Sequence, residues 1–94
     1  MRILGQVTLQ RAARKHADAA NALAMWKAAV TAATWTNLAQ LKADFPFADY
    51  VRPFTIFNVK GNKYRLVALI EYAEQVVIVR DVLTHATYDK EKWK

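Results

Sequence analysis

Two stretches of the chain gather side chains that can hold a phosphate and move a proton. In the first, Asn58, Lys60, Asn62, Lys63 and Arg65 crowd around Gly61. Lys63 and Arg65 are two apart, so on a strand they project from one face. Neighbouring cations repel unless an anion sits over them. A phosphate satisfies both, and a guanidinium can bind it bidentately. The bland alternative is a hairpin tip decorated for solubility. It suits Lys60 and Lys63 better than Arg65, which lies inside an apolar run and needs a partner there. The second stretch is Thr84-His85-Ala86-Thr87-Tyr88-Asp89-Lys90. On a helix His85 and Tyr88 are i, i+3 neighbours. Imidazole exchanges protons near neutrality, whereas a phenol beside cations can pass a proton or stack on a base. A capping or surface histidine is the plain alternative. Arg80 lies in another apolar run, where an ion pair with Asp81 or Asp89 would also satisfy it.

A base, an acid and cations around phosphorus are what RNA cleavage by its own 2′-hydroxyl requires. No cofactor is called for. The sequence has no carboxylate cluster of the kind two-metal nucleases use. The two stretches meet only if a C-terminal helix folds back over the sheet face that carries Lys63 and Arg65.

The elements that must position them read as helices first and strands second. Residues 2–6 suit a short edge strand. Thr8 is a candidate N-cap for a helix to His16, and Asp18 for the next. From there Ala19, Leu23, Trp26, Val30 and Ala33 recur at helical spacing and form one apolar stripe, with Trp26 as a core anchor. Residues 37–42 suit one or two turns, and Pro46 stops any helix. Three strands follow. The first spans 54–59, with Pro53 at its start. The second spans 64–72, with Tyr64, Leu66, Ala68, Ile70 and Tyr72 on one face. The third spans 75–83, with Val76, Ile78, Arg80 and Val82 opposed to Val77, Val79, Asp81 and Leu83. Gly61-Asn62 reads as a two-residue loop of type II′ between the first two strands, and Ala73-Glu74 as the next turn. Thr84 can cap a last helix from His85 to about Lys92.

Composition limits what these elements can be. Ninety-four residues make one domain, 1–94, too short for a barrel or a dinucleotide fold. With 54% hydrophobic residues the chain folds around a core, to which three Trp, four Tyr and four Phe contribute. The absence of cysteine excludes disulfides and thiolate chemistry, and two histidines are too few for a His-rich zinc site. No run approaches the ~18 apolar residues of a membrane span, and the first residues are not a signal peptide, so a cytoplasmic location is expected. The net charge of +6 points to an acidic partner. It is uneven: residues 1–43 hold six basic groups and one acid, Asp18.

The string Phe57-Asn58-Val59-Lys60-Gly61-Asn62-Lys63-Tyr64-Arg65-Leu66, then Val79-Arg80, then Thr84-His85-Ala86-Thr87-Tyr88-Asp89-Lys90, resembles the HigB family of toxins in the RelE superfamily. Trp35, the segment 41–46 and the opening Leu9 helix fit the same family, so the resemblance covers nearly the whole chain. It implies an α+β domain, with N-terminal helices packed on a twisted, mostly antiparallel sheet and a short C-terminal helix. It implies an endoribonuclease of a type II toxin–antitoxin system that cleaves mRNA on the ribosome. A cognate antitoxin, a HigA-like helix-turn-helix protein, would hold it inactive. Arg65 would contact the scissile phosphate, with Tyr88 and His85 completing the catalytic set. Lys60, Asn62, Lys63, Arg80 and Lys90 would line the RNA. The resemblance implies no metal ligand and no membrane partner. Two other readings stay open on the residues alone: a non-catalytic RNA- or ribosome-binding module, and a basic domain that only meets an acidic protein.

Overall fold

A computed structural model describes residues 1–90 of the chain. It begins with β1 (Arg2–Leu4) and α1 (Gln6–Lys15), then a single 3₁₀ turn over Ala17–Ala19 and α2 (Ala20–Ala32). A shorter helix, α3 (Leu38–Asp44), leads into β2 (Asp49–Val51), β3 (Phe54–Val59), β4 (Tyr64–Glu71) and β5 (Val76–Thr84), and α4 (His85–Asp89) closes the described chain. The sheet order is β1-β5-β4-β3-β2, with β1 parallel to β5 and every other pair antiparallel. This is the α+β architecture expected. The end of the expected last helix, beyond residue 90, lies outside the described residues.

The apolar stripe of α2 does what its spacing predicts. Ala19, Leu23, Trp26, Val30 and Ala33 are all buried against the sheet. Trp26 meets Phe57 edge-on at 5.4 Å, and Phe45 wedges between Phe57 and Trp35 at 5.1 and 5.8 Å. Such ring pairs contribute about 0.5–1.5 kcal/mol beyond their area burial. The Met1 ammonium donates to the carbonyls of Val30, Thr31 and Ala33, satisfying the end of α2.

Several local expectations need correction. Thr8 does not cap α1. The helix starts three residues earlier, from Gly5 in a left-handed conformation at φ +83°, and the Thr8 N–H donates to the Gly5 carbonyl. Glycine is required there twice over, because a Cβ would lie 2.5 Å from the Val79 carbonyl oxygen. Asp18 caps nothing either; it sits in the 3₁₀ turn and reaches across to the β3–β4 loop. The short strand β2 is an addition to the expected elements, because three residues at a sheet edge carry little alternation. The β3–β4 loop has four residues rather than two: pairing stops at Val59 and Tyr64, with Lys60 and Gly61 both at positive φ.

The alternation along β5 breaks. Val67 pairs with Asp81 but Ala68 pairs with Val79, so Arg80 is an extra residue in a β-bulge. Past the bulge the faces swap. Val82 joins Val77 and Val79 in the core, while Asp81 and Leu83 fall on the opposite face with Val67 and Arg65. The strand therefore delivers its C-terminal end, and α4 after it, to the face away from the long helices.

Candidate active site

The site is built at the tip of the β3–β4 hairpin. Arg65 is the second residue of β4 and stands on the face opposite the core, directly across from Asn58 on β3. It is only 9% exposed. The fold hides it by turning the chain over it. Tyr64 is paired with Thr84, the last residue of β5, and the His85 N–H donates to the Lys63 carbonyl at 3.1 Å. Thr84 then caps α4, as expected, its hydroxyl accepting from the Thr87 N–H. The short helix that results lies against Arg65.

Four acceptors take the Arg65 N–H groups. Nη1 donates to the backbone carbonyls of Asn62 and Tyr64, at 3.2 and 3.3 Å. Nη2 donates to Asn62 Oδ1 at 2.6 Å and to His85 Nδ1 at 2.9 Å. The Tyr88 ring flanks the guanidinium, with Cζ 5.7 Å from its centroid. Every one of these partners is neutral. Among the described residues no carboxylate pairs with Arg65. Its hydrogen bonds are met and its charge is not, so the buried cation is poised for an anion.

His85 has both ring nitrogens engaged. Arg65 can only donate, so Nδ1 accepts, and the ring proton lies on Nε2, which faces Asp89 Oδ2 at 3.2 Å. Sequence proximity offers this carboxylate to Arg80 as a partner. It instead orients the imidazole in the tautomer that serves Arg65.

The lysines go elsewhere. Tyr64 follows the alternation into the helix face, and Lys63 turns with it. Asp18 receives both: Lys63 Nζ on Oδ2 and the Tyr64 hydroxyl on Oδ1 at 2.6 Å, while Lys60 donates to the Asp18 carbonyl at 2.8 Å. The His16 ring lies 4.7 Å from that of Tyr64. The hydrogen bond from Lys63, then that from Tyr64, hold the Asp18 carboxyl far below the ordinary carboxylate range. The same bond raises Lys63, and the Tyr64 phenol is raised by its bond to Asp18 and by burial. The structure thus brings Asn62, Arg65, His85 and Tyr88 together and leaves Lys60 and Lys63 in a separate ionic clamp.

Arg80 makes no ion pair with Asp81 or Asp89. From the bulge it lies exposed over the Phe54 ring at 5.6 Å, and the Asp81 carboxylate accepts from the Val82 N–H. Lys90 is exposed at the end of α4. Sequence reasoning misses Asp18 and the role of Asn62 as a holder of Arg65; no local pattern marks a contact between Asp18 and residues 60–64.

Known proteins share this chain's pattern. A family model described as HigB toxin, RelE-like toxic component of a toxin–antitoxin system, matches residues 19–91. The chain is 32% identical over 92 residues to the mRNA interferase toxin HigB of Escherichia coli strain K12 and to the mRNA interferase HigB of Shigella flexneri, covering 95% of this chain and 88% of each relative. It is 26% identical over 93 residues to the mRNA interferase HigB of Escherichia coli O6:H1, covering 96% and 90%. With a model that spans most of its length and relatives aligned nearly end to end, the chain belongs to the HigB toxin family, the RelE-like toxic components of toxin–antitoxin systems.

Proposed function

We propose that this chain, 1–94, is an mRNA interferase: an endoribonuclease that cuts mRNA on the ribosome, in the cytoplasm, and is silenced by a HigA-like helix-turn-helix antitoxin. Family membership and the relatives' names support the reading. The observation that carries it is Arg65, a buried guanidinium with neutral partners only. The scissile phosphate supplies the missing charge. When the phosphate takes Nη2, His85 Nδ1 is released and becomes the acceptor for the 2′-hydroxyl proton. The 2′-oxygen then bonds to phosphorus as the bond to the 5′-oxygen of the next nucleotide breaks. Asp89 steadies the imidazolium through Nε2. Arg65 stabilises the charge that grows on the phosphoryl oxygens. Tyr88 flanks Arg65 with its ring, and its hydroxyl is the acid for the leaving oxygen. Charge and proton transfer are both supplied by side chains, so the scheme needs no metal. Among the described residues no helix is long and apolar enough to cross a membrane.

The test is cleavage of mRNA on translating ribosomes by the purified chain, with product ends mapped. Wild type is expected to cut within the ribosomal decoding region and Arg65→Ala to be nearly inactive. Binding of ribosomes without any cut in either protein would favour the non-catalytic module instead.

A further inference from the structure

The loop after α3 builds a hollow beside the arginine. Residues 44–48 close one wall of a cavity of about 460 Å³, and Asn58, Gly61 and Asn62 of the hairpin close the other. Its volume is in the range of small-ligand sites. The wall is preorganised: Phe45 is locked between Trp35 and Phe57, the Ala48 N–H donates back to the Phe45 carbonyl at 3.0 Å, and Ala48 is buried. This turn throws Phe47 outward at 80% exposure, the most exposed large apolar side chain among the described residues. Opposite it, Asn58 is exposed on the same sheet face as Arg65 and directly across from it. Among the described residues no hydrogen-bond partner engages its amide. Gly61 leaves open space where a side chain would stand.

The geometry points to a nucleobase subsite: the base next to the scissile phosphate stacks on Phe47, and the Asn58 amide reads its edge. The inference rests on the reading of Arg65 as the phosphate holder and names the group that sits beside that phosphate. Three features argue for a base rather than an apolar peptide. The cavity is continuous with the phosphate holder, because Asn62 both lines it and accepts two hydrogen bonds from Arg65. Cross-strand neighbours such as Asn58 and Arg65 have Cβ atoms about 4.5–5.5 Å apart, which is within one nucleotide's reach. An aromatic face together with an amide, which can donate and accept at once, suits a flat ring with polar edges.

Ribosome-bound mRNAs that differ only in the base beside the cleaved bond test this. Phe47 is exposed, so Phe47→Ala keeps the fold. It is expected to raise KM by about tenfold and to flatten the base preference, with kcat nearly kept. Phe47→Trp should restore both. Asn58→Ala should change which base is preferred. A KM within about twofold of wild type and an unchanged preference in both variants would overturn the subsite, and an inactive Arg65→Ala alongside would leave the phosphate reading standing. A wild-type chain that cuts no RNA would overturn both. Loss of antitoxin binding in Phe47→Ala with cleavage unchanged would also overturn it, by assigning the hollow to a protein segment.

Discussion

The two sides of the β3–β4 hairpin tip hold their cations in opposite ways. On the helix side, Lys60 and Lys63 are tied to Asp18, an ionic clamp in which one carboxylate faces both ammonium groups. On the far side, Arg65 is buried against carbonyls, an amide and an imidazole, with hydrogen bonds met and charge unopposed. Lys63 and Arg65 are two residues apart in sequence, yet they serve different sites. A count of basic residues does not find an anion site; the cation that lacks a counter-charge does. The clamp holds the hairpin tip to the helical layer through residues 60, 63 and 64. The far side uses the same tip, through Asn62, to aim its arginine. One face fixes the scaffold and the other carries chemistry.

On that division, replacing the far-side cation has the largest effect. Arg65→Ala removes the charge partner of the reacting phosphate. Groups of that kind are worth roughly 2.7–4 kcal/mol, about a hundredfold to a thousandfold in kcat. Ribosome-bound mRNA cleavage measures it, and a rate within about threefold of wild type, in a folded variant, would rule the role out. Arg65→Lys should rescue little, since one ammonium cannot serve both the Asn62 acceptors and a phosphate.

Next in size are the groups of α4 that touch Arg65. His85→Ala is expected to lower kcat by about a hundredfold, the scale of a general base. Tyr88 separates ring from hydroxyl. Tyr88→Ala should cost most and Tyr88→Phe less, because the ring faces Arg65 and Phe preserves that contact. Equal loss in Phe and Ala would put the whole role on the hydroxyl. Full activity in both His85→Ala and Tyr88→Ala would remove α4 from the site.

The helix-side lysines should do less. Lys60→Ala and Lys63→Ala are expected to change kcat little. If either touches an RNA phosphate, its loss weakens binding and reduces the salt slope by about one. A loss of kcat in Lys63→Ala comparable to that in Arg65→Ala would break the division between the two faces.

How far all this can be read from sequence follows range. The α2 stripe and the Thr84 cap are local, and each is found where its spacing puts it; His85 and Tyr88, both on α4, each reach Arg65. The convergence of α4 on Arg65 is visible in the sequence only as a condition, because it depends on the bulge at Arg80 that re-aims the end of β5. Alternation cannot show an extra residue, so it assigns Val82 and Leu83 to reversed faces. Asp18 misleads because a carboxylate just ahead of a helix reads as a cap, while its partners, 42 to 46 residues away, leave no pattern. Asn62 sits in a turn where asparagine is common for backbone reasons, which masks its hold on Arg65.

The smallest effect belongs to Asp18, and pH isolates it. Its carboxyl has an ordinary value of 3.8 and is held well below that in the folded chain. Between those two values the unfolded chain binds the extra proton, so stability falls as pH drops below about 4. Above that the contribution is complete and constant. Lys63 and Tyr64 are raised from 10.5 and 10.0, so their share is complete below about 10 and is lost as pH climbs through their folded values. The clamp therefore does not titrate at physiological pH. Asp18→Asn keeps the shape and removes the charge. Thermal melts of both proteins should differ by a constant amount from about pH 5 to pH 9 and converge as pH falls below about 4, where wild type loses what the variant never had. The variant should retain cleavage, since Asn62 and His85 still hold Arg65, and its KM for RNA should fall as an acid leaves the basic surface and two lysines are freed. Melting curves that stay equally separated down to about pH 2 would show that Asp18 contributes shape rather than charge. A collapse of kcat in Asp18→Asn with the fold intact would show instead that the clamp and the arginine are one device.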